Sequence, residues 1–190
     1  MINSMLFQKN VLDLGCGDGK SAYYIDSLCD INSYVGIDIS EKSIIKAKSR
    51  NINNTTFRAY DGKNIPYEDN SFDIVFIACV LHHIDVDNRQ DILSECYRVL
   101  KKGGEIIIFE HNPNNPLTLK TVKDCPFDEG IVLQTARGLK KLLSSVKFEC
   151  IKVCYTIFMP RKGVFKKLIG VEKYLKWCGL GGQYYIVAKK

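Results

Sequence analysis

A chain of 190 residues, 46% of them apolar, has the material for one folded domain, 1–190, with a core of its own, and is excluded from the disordered class. The net charge of +6 is unevenly placed, with 17 Lys/Arg against 19 Asp/Glu in residues 1–146 and ten against two in residues 147–190, so a uniformly basic protein is excluded as well. Eight scattered cysteines without a C-x-x-C pair, no run near the ~20 apolar residues of a membrane span and no signal peptide in MINSMLFQKN exclude a disulfide scaffold, a zinc framework and a spanning helix.

The expectation is a cytoplasmic protein with no metal centre. The first predicted strand, 10–14, runs straight into alternating glycines at Gly15, Gly17 and Gly19 in VLDLGCGDGK. Residues without a Cβ allow a sharp strand-to-helix turn and let a ligand lie against the backbone. A helix over 18–28 should follow, capped by Asp18, its unpaired N–H groups favouring an anionic group in the turn. The spacing G-x-G-x-G is neither the dinucleotide fingerprint nor a P-loop. A second strand, 34–38, ends in Asp38, 21 residues after Gly17. In a βαβ unit that places a carboxylate beside the first turn, where it can accept both hydroxyls of a ribose.

A helix over 41–50 and a strand over 55–59 come next, the strand leading into Asp61 and Gly62. The apolar run SFDIVFIA predicts a central strand over 73–78, covered on both faces and leaving through Ala78 toward His82 and His83. A helix over 86–99 gathers Ile92, Leu93, Cys96, Val99 and Leu100 on one side and should stop at Lys101-Lys102-Gly103-Gly104. Strand 104–110 closes in Glu110 and His111, and this pair, like His82 and His83, is expected to project over a bound ligand at the carboxyl edge of the sheet. Residues 111–130 carry three of the five prolines and little periodicity, which predicts a long irregular excursion at the carboxyl edge of the sheet. A helix over 135–145 and strands over 150–158 and 183–188 complete an α/β alternation with helices on both faces. Between the last two strands, 160–178 sets Val164, Leu168, Val171 and Leu175 against Lys162, Lys166, Lys173 and Lys176. That pattern fits a crossover element with its lysines in water, or a contact with an anionic surface.

Four stretches in order, VLDLGCGDG, GIDIS, AYDGKNIPYEDNSFDIVFIACVLHHI and RVLKKGGEIIIFEH, resemble the motifs of class I methyltransferases that use S-adenosyl-L-methionine. The resemblance implies a Rossmann-like α/β/α sandwich on a seven-stranded, mostly parallel sheet whose last strand is antiparallel. It implies a cofactor site in which Gly15 and Gly17 take the methionyl part and Asp13 meets the amino group. Asp38 would then accept the ribose, Ile39 pack on the adenine, Asp61 accept its amino group, and Gly62 and Ala78 allow close backbone approach. His83 and His111 become candidates for removing the acceptor's proton, with simple packing as the rival role for each.

Family members usually carry lid helices before the first motif, and here about ten residues precede it, so the lid is expected to be largely missing. Loop 111–130, the basic tail, a large substrate or a partner subunit in a homodimer would then close the site, unless the true start lies upstream. The expected acceptor is an O or N nucleophile of a small molecule or glycan-like compound, since FEHNPNNPLT and the basic crossover resemble enzymes of bacterial cell-surface glycan and small-molecule pathways. The alternatives are a nucleic-acid or lipid-linked-substrate methyltransferase using the basic segment, and a non-catalytic binding module. The nucleic-acid signature is weak, with no N/D-P-P-Y/W tetrapeptide and no Pro-Cys pair. An NAD oxidoreductase is disfavoured by the glycine spacing.

Overall fold

Short apolar runs separated by helical stretches commit a chain to parallel pairing, because each strand needs a crossover before its neighbour can run the same way. The computed structural model describes residues 5–128, 130–158 and 170–190. Among these residues it has strands β1 (Asn10–Leu14), β2 (Ser33–Asp38), β3 (Thr55–Ala59), β4 (Phe72–Ala78), β5 (Leu100–His111), β6 (Glu149–Thr156) and β7 (Gln183–Lys189). The helices are α1 (Lys20–Leu28), α2 (Glu41–Lys48), α3 (Arg89–Val99), α4 (Pro116–Lys123) and α5 (Ala136–Ser145). One sheet has the order β3-β2-β1-β4-β5-β7-β6. The first five strands pair in parallel, and β7 runs antiparallel to both β5 and β6. This is the Rossmann-like sheet, antiparallel at its last strand, that the motifs imply.

Side chains alternate across the central strands, so each strand feeds two cores. Leu12, Leu14, Val75, Ile77, Ile106 and Ile108 pack with Ile92, Leu93 and Cys96 of α3 and Leu139 and Leu143 of α5. Val11, Ile74, Phe76 and Ile107 face the other way, onto Ala22 and Ile25 of α1 and Ile44 and Ala47 of α2. No helix among the described residues is long and apolar enough to cross a membrane.

Four sequence expectations need correction or restriction. Lys101 to Gly104 do not end a helix; α3 stops at Val99 and these residues belong to β5. The sheet register slips there, with Phe72 opposite Leu100 but Ile74 opposite Glu105, and Gly103 at φ 76° turns the extra residues out as a bulge. Residues 111–130 are not irregular throughout, because they contain α4. Asn115 caps it, accepting from the Leu117 and Thr118 N–H groups, and Pro116 occupies its first turn, where a missing N–H costs nothing. Asp18 does not cap α1, since the cap position is Gly19, and Arg50 holds the Asp18 carboxylate at 2.8 Å. Of the basic segment 160–178, residues 160–169 lie outside the described residues; 170–174 form a 3-10 stretch.

Gly36, in the middle of β2, has no space for a side chain. A Cβ there would lie 2.6 Å from the Phe57 ring and 2.9 Å from Cys16 Cβ. Gly36→Ala should therefore destabilise the protein by about 1–3 kcal/mol, read as a lower urea midpoint at unchanged slope. An unchanged midpoint would show that Phe57 moves aside at no cost.

Candidate functional site at the carboxyl edge of the sheet

The glycine turn after β1 works through three left-handed residues, Gly15, Gly17 and Gly19, at φ 75°, 52° and 78°. Gly15 is where the turn crosses the chain leaving β4, and a Cβ would stand 2.4 Å from Val80 Cγ2. A Cβ on Gly19 would press on Ala47 of α2 at 3.1 Å. Gly17 differs, because a Cβ there would meet nothing within 4 Å. The turn's N–H groups are largely spent inside the fold: those of Gly15 and Cys16 go to Ile37 O, that of Gly17 to Asp38 Oδ2 at 2.9 Å, and that of Gly19 to Cys16 O. The expected cradle of unpaired donors is thus narrower than the motif suggests, and open space over Gly17 is what the turn offers a ligand.

Asp38 stands at the end of β2 and ties that space together. Its Oδ2 accepts from Gly17 N–H and its Oδ1 from Ser40 N–H at 2.8 Å, while Ser40 caps α2. Each oxygen keeps a lone pair for a further donor. Beside it, Ile39 is 70% exposed, an unusual position for a large apolar side chain. Gly62 adjoins it, since a Cβ there would come 3.1 Å from Ile39 Cγ2. Asp61 is on the surface, accepting from the Lys63 and Asn64 N–H groups, which hold its carboxyl below the usual range. Ala78 ends β4, half-buried. Asp13 lies deeper, 1% exposed, with the Tyr34 hydroxyl donating to it. Burial lifts its carboxyl to about 7 against the pull of that hydrogen bond, and Asp38 adds to the rise.

Beyond Val80 the chain makes a 3-10 turn, Leu81–His83, and a buried carboxylate fixes it. Glu110, fully buried near the end of β5, accepts the Leu81 N–H on Oε1 at 2.9 Å and bonds His82 Nδ1 with Oε2. His82 is 2% exposed, so it is held, while the His83 side chain is 43% exposed. The His111 ring centroid is 5.3 Å from that of His82, and His111 Nδ1 lies 3.5 Å from Gln183 Nε2. Burial and the adjacent His82 hold both His83 and His111 below the usual histidine range. Glu110 therefore does not project over a ligand beside His111, as strand position alone would have it; it turns inward as an anchor. Asp128 joins the cluster from the 3-10 turn Pro126–Asp128, 3.6 Å from His83 Nε2. Sequence reasoning passed over Asp128 because nothing in its aperiodic surroundings sets it apart. Cys79, at φ 57° after β4, has its thiol pushed up to about 12 by burial and by Glu110 and Asp128, which removes it as a thiolate nucleophile.

Next to the histidines is a cavity of about 530 Å³, lined by His82, His83, Asp85, Asp87 and residues 130–132 among others. Buried Arg89 braces it, donating to Ile84 O, Val132 O and Gln134 Oε1. Val80, which meets the glycine turn at Gly15, is also the residue from which the Leu81–His83 turn starts. The donor set around Gly17 fits a nucleoside with an amino acid end: open backbone, a fixed carboxylate for paired hydroxyls and an exposed apolar face.

A family model described as a methyltransferase domain matches residues 12–108. The phthiotriol/phenolphthiotriol dimycocerosates methyltransferase 1 of Mycobacterium ulcerans is 33% identical over 110 residues, 57% of this chain and 40% of that protein. The chain covers 37–50% of the length of this and other curated relatives. A crystal structure from Thermotoga maritima, described as a SAM-dependent methyltransferase and possible histamine N-methyltransferase, superposes with a TM-score of 0.76 at 21% identity, covering 100% of this chain and 86% of that one. The phosphoethanolamine N-methyltransferase 2 of Haemonchus contortus in complex with S-adenosyl-L-methionine has a TM-score of 0.68 at 20% identity, covering 97% and 49%.

The raised carboxyl of Asp13 makes stability depend on pH in a stated direction. Between the ordinary value of 3.8 and about 7 the folded chain holds this proton and the unfolded chain does not. The stability it contributes is present below pH ~4 and lost as pH rises through about 7. Chemical denaturation at pH 5 and pH 8 should show the native chain losing about 2 kcal/mol more than Asp13→Asn. Parallel losses in the two proteins would mean that Asp13 is ionised throughout.

Proposed function

The chain belongs to the methyltransferase-domain family, and from that premise we propose that it moves the methyl group of S-adenosyl-L-methionine to an oxygen or nitrogen nucleophile of a small-molecule or saccharide-like acceptor. The observation that carries this reading is the Asp38 carboxylate, fixed by the Gly17 and Ser40 N–H groups beside the open face of Gly17. Asp38 would hold the ribose hydroxyls, Ile39 and Gly62 the adenine, Asp61 its amino group, and Gly15 and Gly17 the methionyl part, with Asp13 beneath. When bound, S-adenosyl-L-methionine supplies an electrophilic methyl group on a sulfonium. In-line displacement then asks the protein for alignment and for a proton acceptor.

The acceptor's place in this reading is the cavity of about 530 Å³ beside the Leu81–His83 turn, with His83 on its wall. His83 and His111 are held below the usual histidine range, so both are neutral at pH 7 and able to take a proton. Their neighbour His82 is spoken for by Glu110. The relative is named for phthiotriol/phenolphthiotriol dimycocerosates and the structural neighbours for possible histamine and for phosphoethanolamine methylation, names that support methyl transfer as the reaction and differ in the acceptor.

Calorimetric titration should show binding of S-adenosyl-L-methionine and S-adenosylhomocysteine and none of NAD. Gly17→Val, which meets no protein atom at its Cβ, should weaken that binding at least tenfold and cost roughly 1 kcal/mol in stability. Tight binding of NAD alone would overturn the reading. With an acceptor found by screening hydroxyl and amine compounds for S-adenosylhomocysteine release, His83→Ala or His111→Ala should lower turnover about 10²-fold with little change in cofactor affinity. Unchanged turnover in both variants would remove the proton-acceptor role.

A further inference from the structure

The histidine cluster holds an arrangement that proton transfer does not need. One ligand atom each from His82, His83 and Asp128 lie within 4.8 Å of one another. His82 Nε2 is 3.8 Å and His83 Nε2 3.6 Å from the same Asp128 Oδ1. These separations are too long for hydrogen bonds; one lies at the upper end of, and the other about 0.2 Å beyond, the ~3.3–3.6 Å between two ligands of a shared ion, each ~2.0–2.2 Å from a tetrahedral centre. We propose that His82, His83 and Asp128 form a binding site for a divalent transition-metal ion.

The surroundings are those of a metal ligand set. Glu110 bonds His82 Nδ1 and is itself fixed by the Leu81 N–H. With the ring hydrogen directed at that carboxylate, Nε2 is the lone-pair nitrogen and it faces Asp128, the carboxylate–histidine–metal relay in which the outer carboxylate sets tautomer and ring angle. Without a cation, that lone pair opposes a carboxylate oxygen in a site where the two side chains are 1% and 12% exposed. Two imidazoles and one carboxylate suit zinc, iron, cobalt or manganese better than calcium or magnesium, which prefer all-oxygen shells. Among the described residues three protein ligands are supplied, and His82 and His83 line the cavity of about 530 Å³. The remaining coordination positions open there, to water or to an oxygen or nitrogen of a small molecule. A metal-bound His83 cannot also take a proton, so that role passes to His111; this consequence alone rests on the methyl-transfer reading.

The test uses the full chain and two metals. Equilibrium dialysis against zinc(II) or cobalt(II), followed by metal analysis, should give one ion per chain. The cobalt form should absorb in the visible d–d region without the thiolate charge-transfer band that capture by cysteine would produce. His83→Ala and Asp128→Asn, both outside the buried Glu110–His82 pair, should each weaken binding at least tenfold while keeping a native circular dichroism spectrum. If one of them fails to fold, the other and the cobalt spectrum decide. No binding of either metal, binding that survives both substitutions, or a thiolate band would each overturn the assignment. None of these readouts involves S-adenosyl-L-methionine, so failure here leaves the methyl-transfer reading standing, and the reverse holds equally.

Discussion

The chain leaves β1 toward one edge of the sheet and returns at β4 to build toward the other, so these two neighbours send their following loops in opposite directions. Their exits must nonetheless pass each other at the carboxyl edge. Gly15 makes that passage possible, since even one carbon atom on it would stand 2.4 Å from Val80. Everything described at this edge is arranged about the contact. The open face of Gly17 belongs to the β1 exit and the Leu81–His83 turn to the β4 exit, and Gly15 and Val80 are where the two exits meet.

Two carboxylates do similar work on the two sides and differ in what they keep in reserve. Asp38 and Glu110 each close a loop by accepting a backbone N–H from a neighbouring strand's exit, Gly17 in one case and Leu81 in the other. Asp38 is only half-buried, and it retains lone pairs toward solvent for a ligand. Glu110 is fully buried and uses its second oxygen on His82. The same chemistry thus leaves acceptor capacity free on one side and uses it up on the other. Burial decides which.

Much of this was legible in the sequence, and the reasons are local. Near-continuous apolar runs gave β1 and β4 almost to the residue, because strands covered on both faces have little freedom in composition. The distance from Gly17 to Asp38 placed a carboxylate beside the glycine turn before any coordinates did. Prolines misled in 111–130, where Pro116 starts a helix that Asn115 caps. Lys101 to Gly104 carried the signs of a helix end but serve a strand bulge, a feature that depends on the register with β4. Glu110 read as an outward-facing site residue, and only the fold shows it turned in toward Leu81. Asp128 was invisible for the same reason: its partners lie some 45 residues away in sequence and no periodicity connects them.

The order of strands at the far edge carries a consequence for how the molecule comes into being. β7 lies between β5 and β6, pairing with both, so β6 emerges from synthesis with no neighbour to receive it. Until β7 inserts, β5 presents an open edge that includes Ile106, Ile107 and Ile108. Asn112, Asn115 and Thr118 donate to the carbonyls of Gly179 to Gly182, which fixes the chain just before β7. A nascent chain that has completed β1 to β5 is therefore still adhesive along β5, and β7 is the strand that covers that edge.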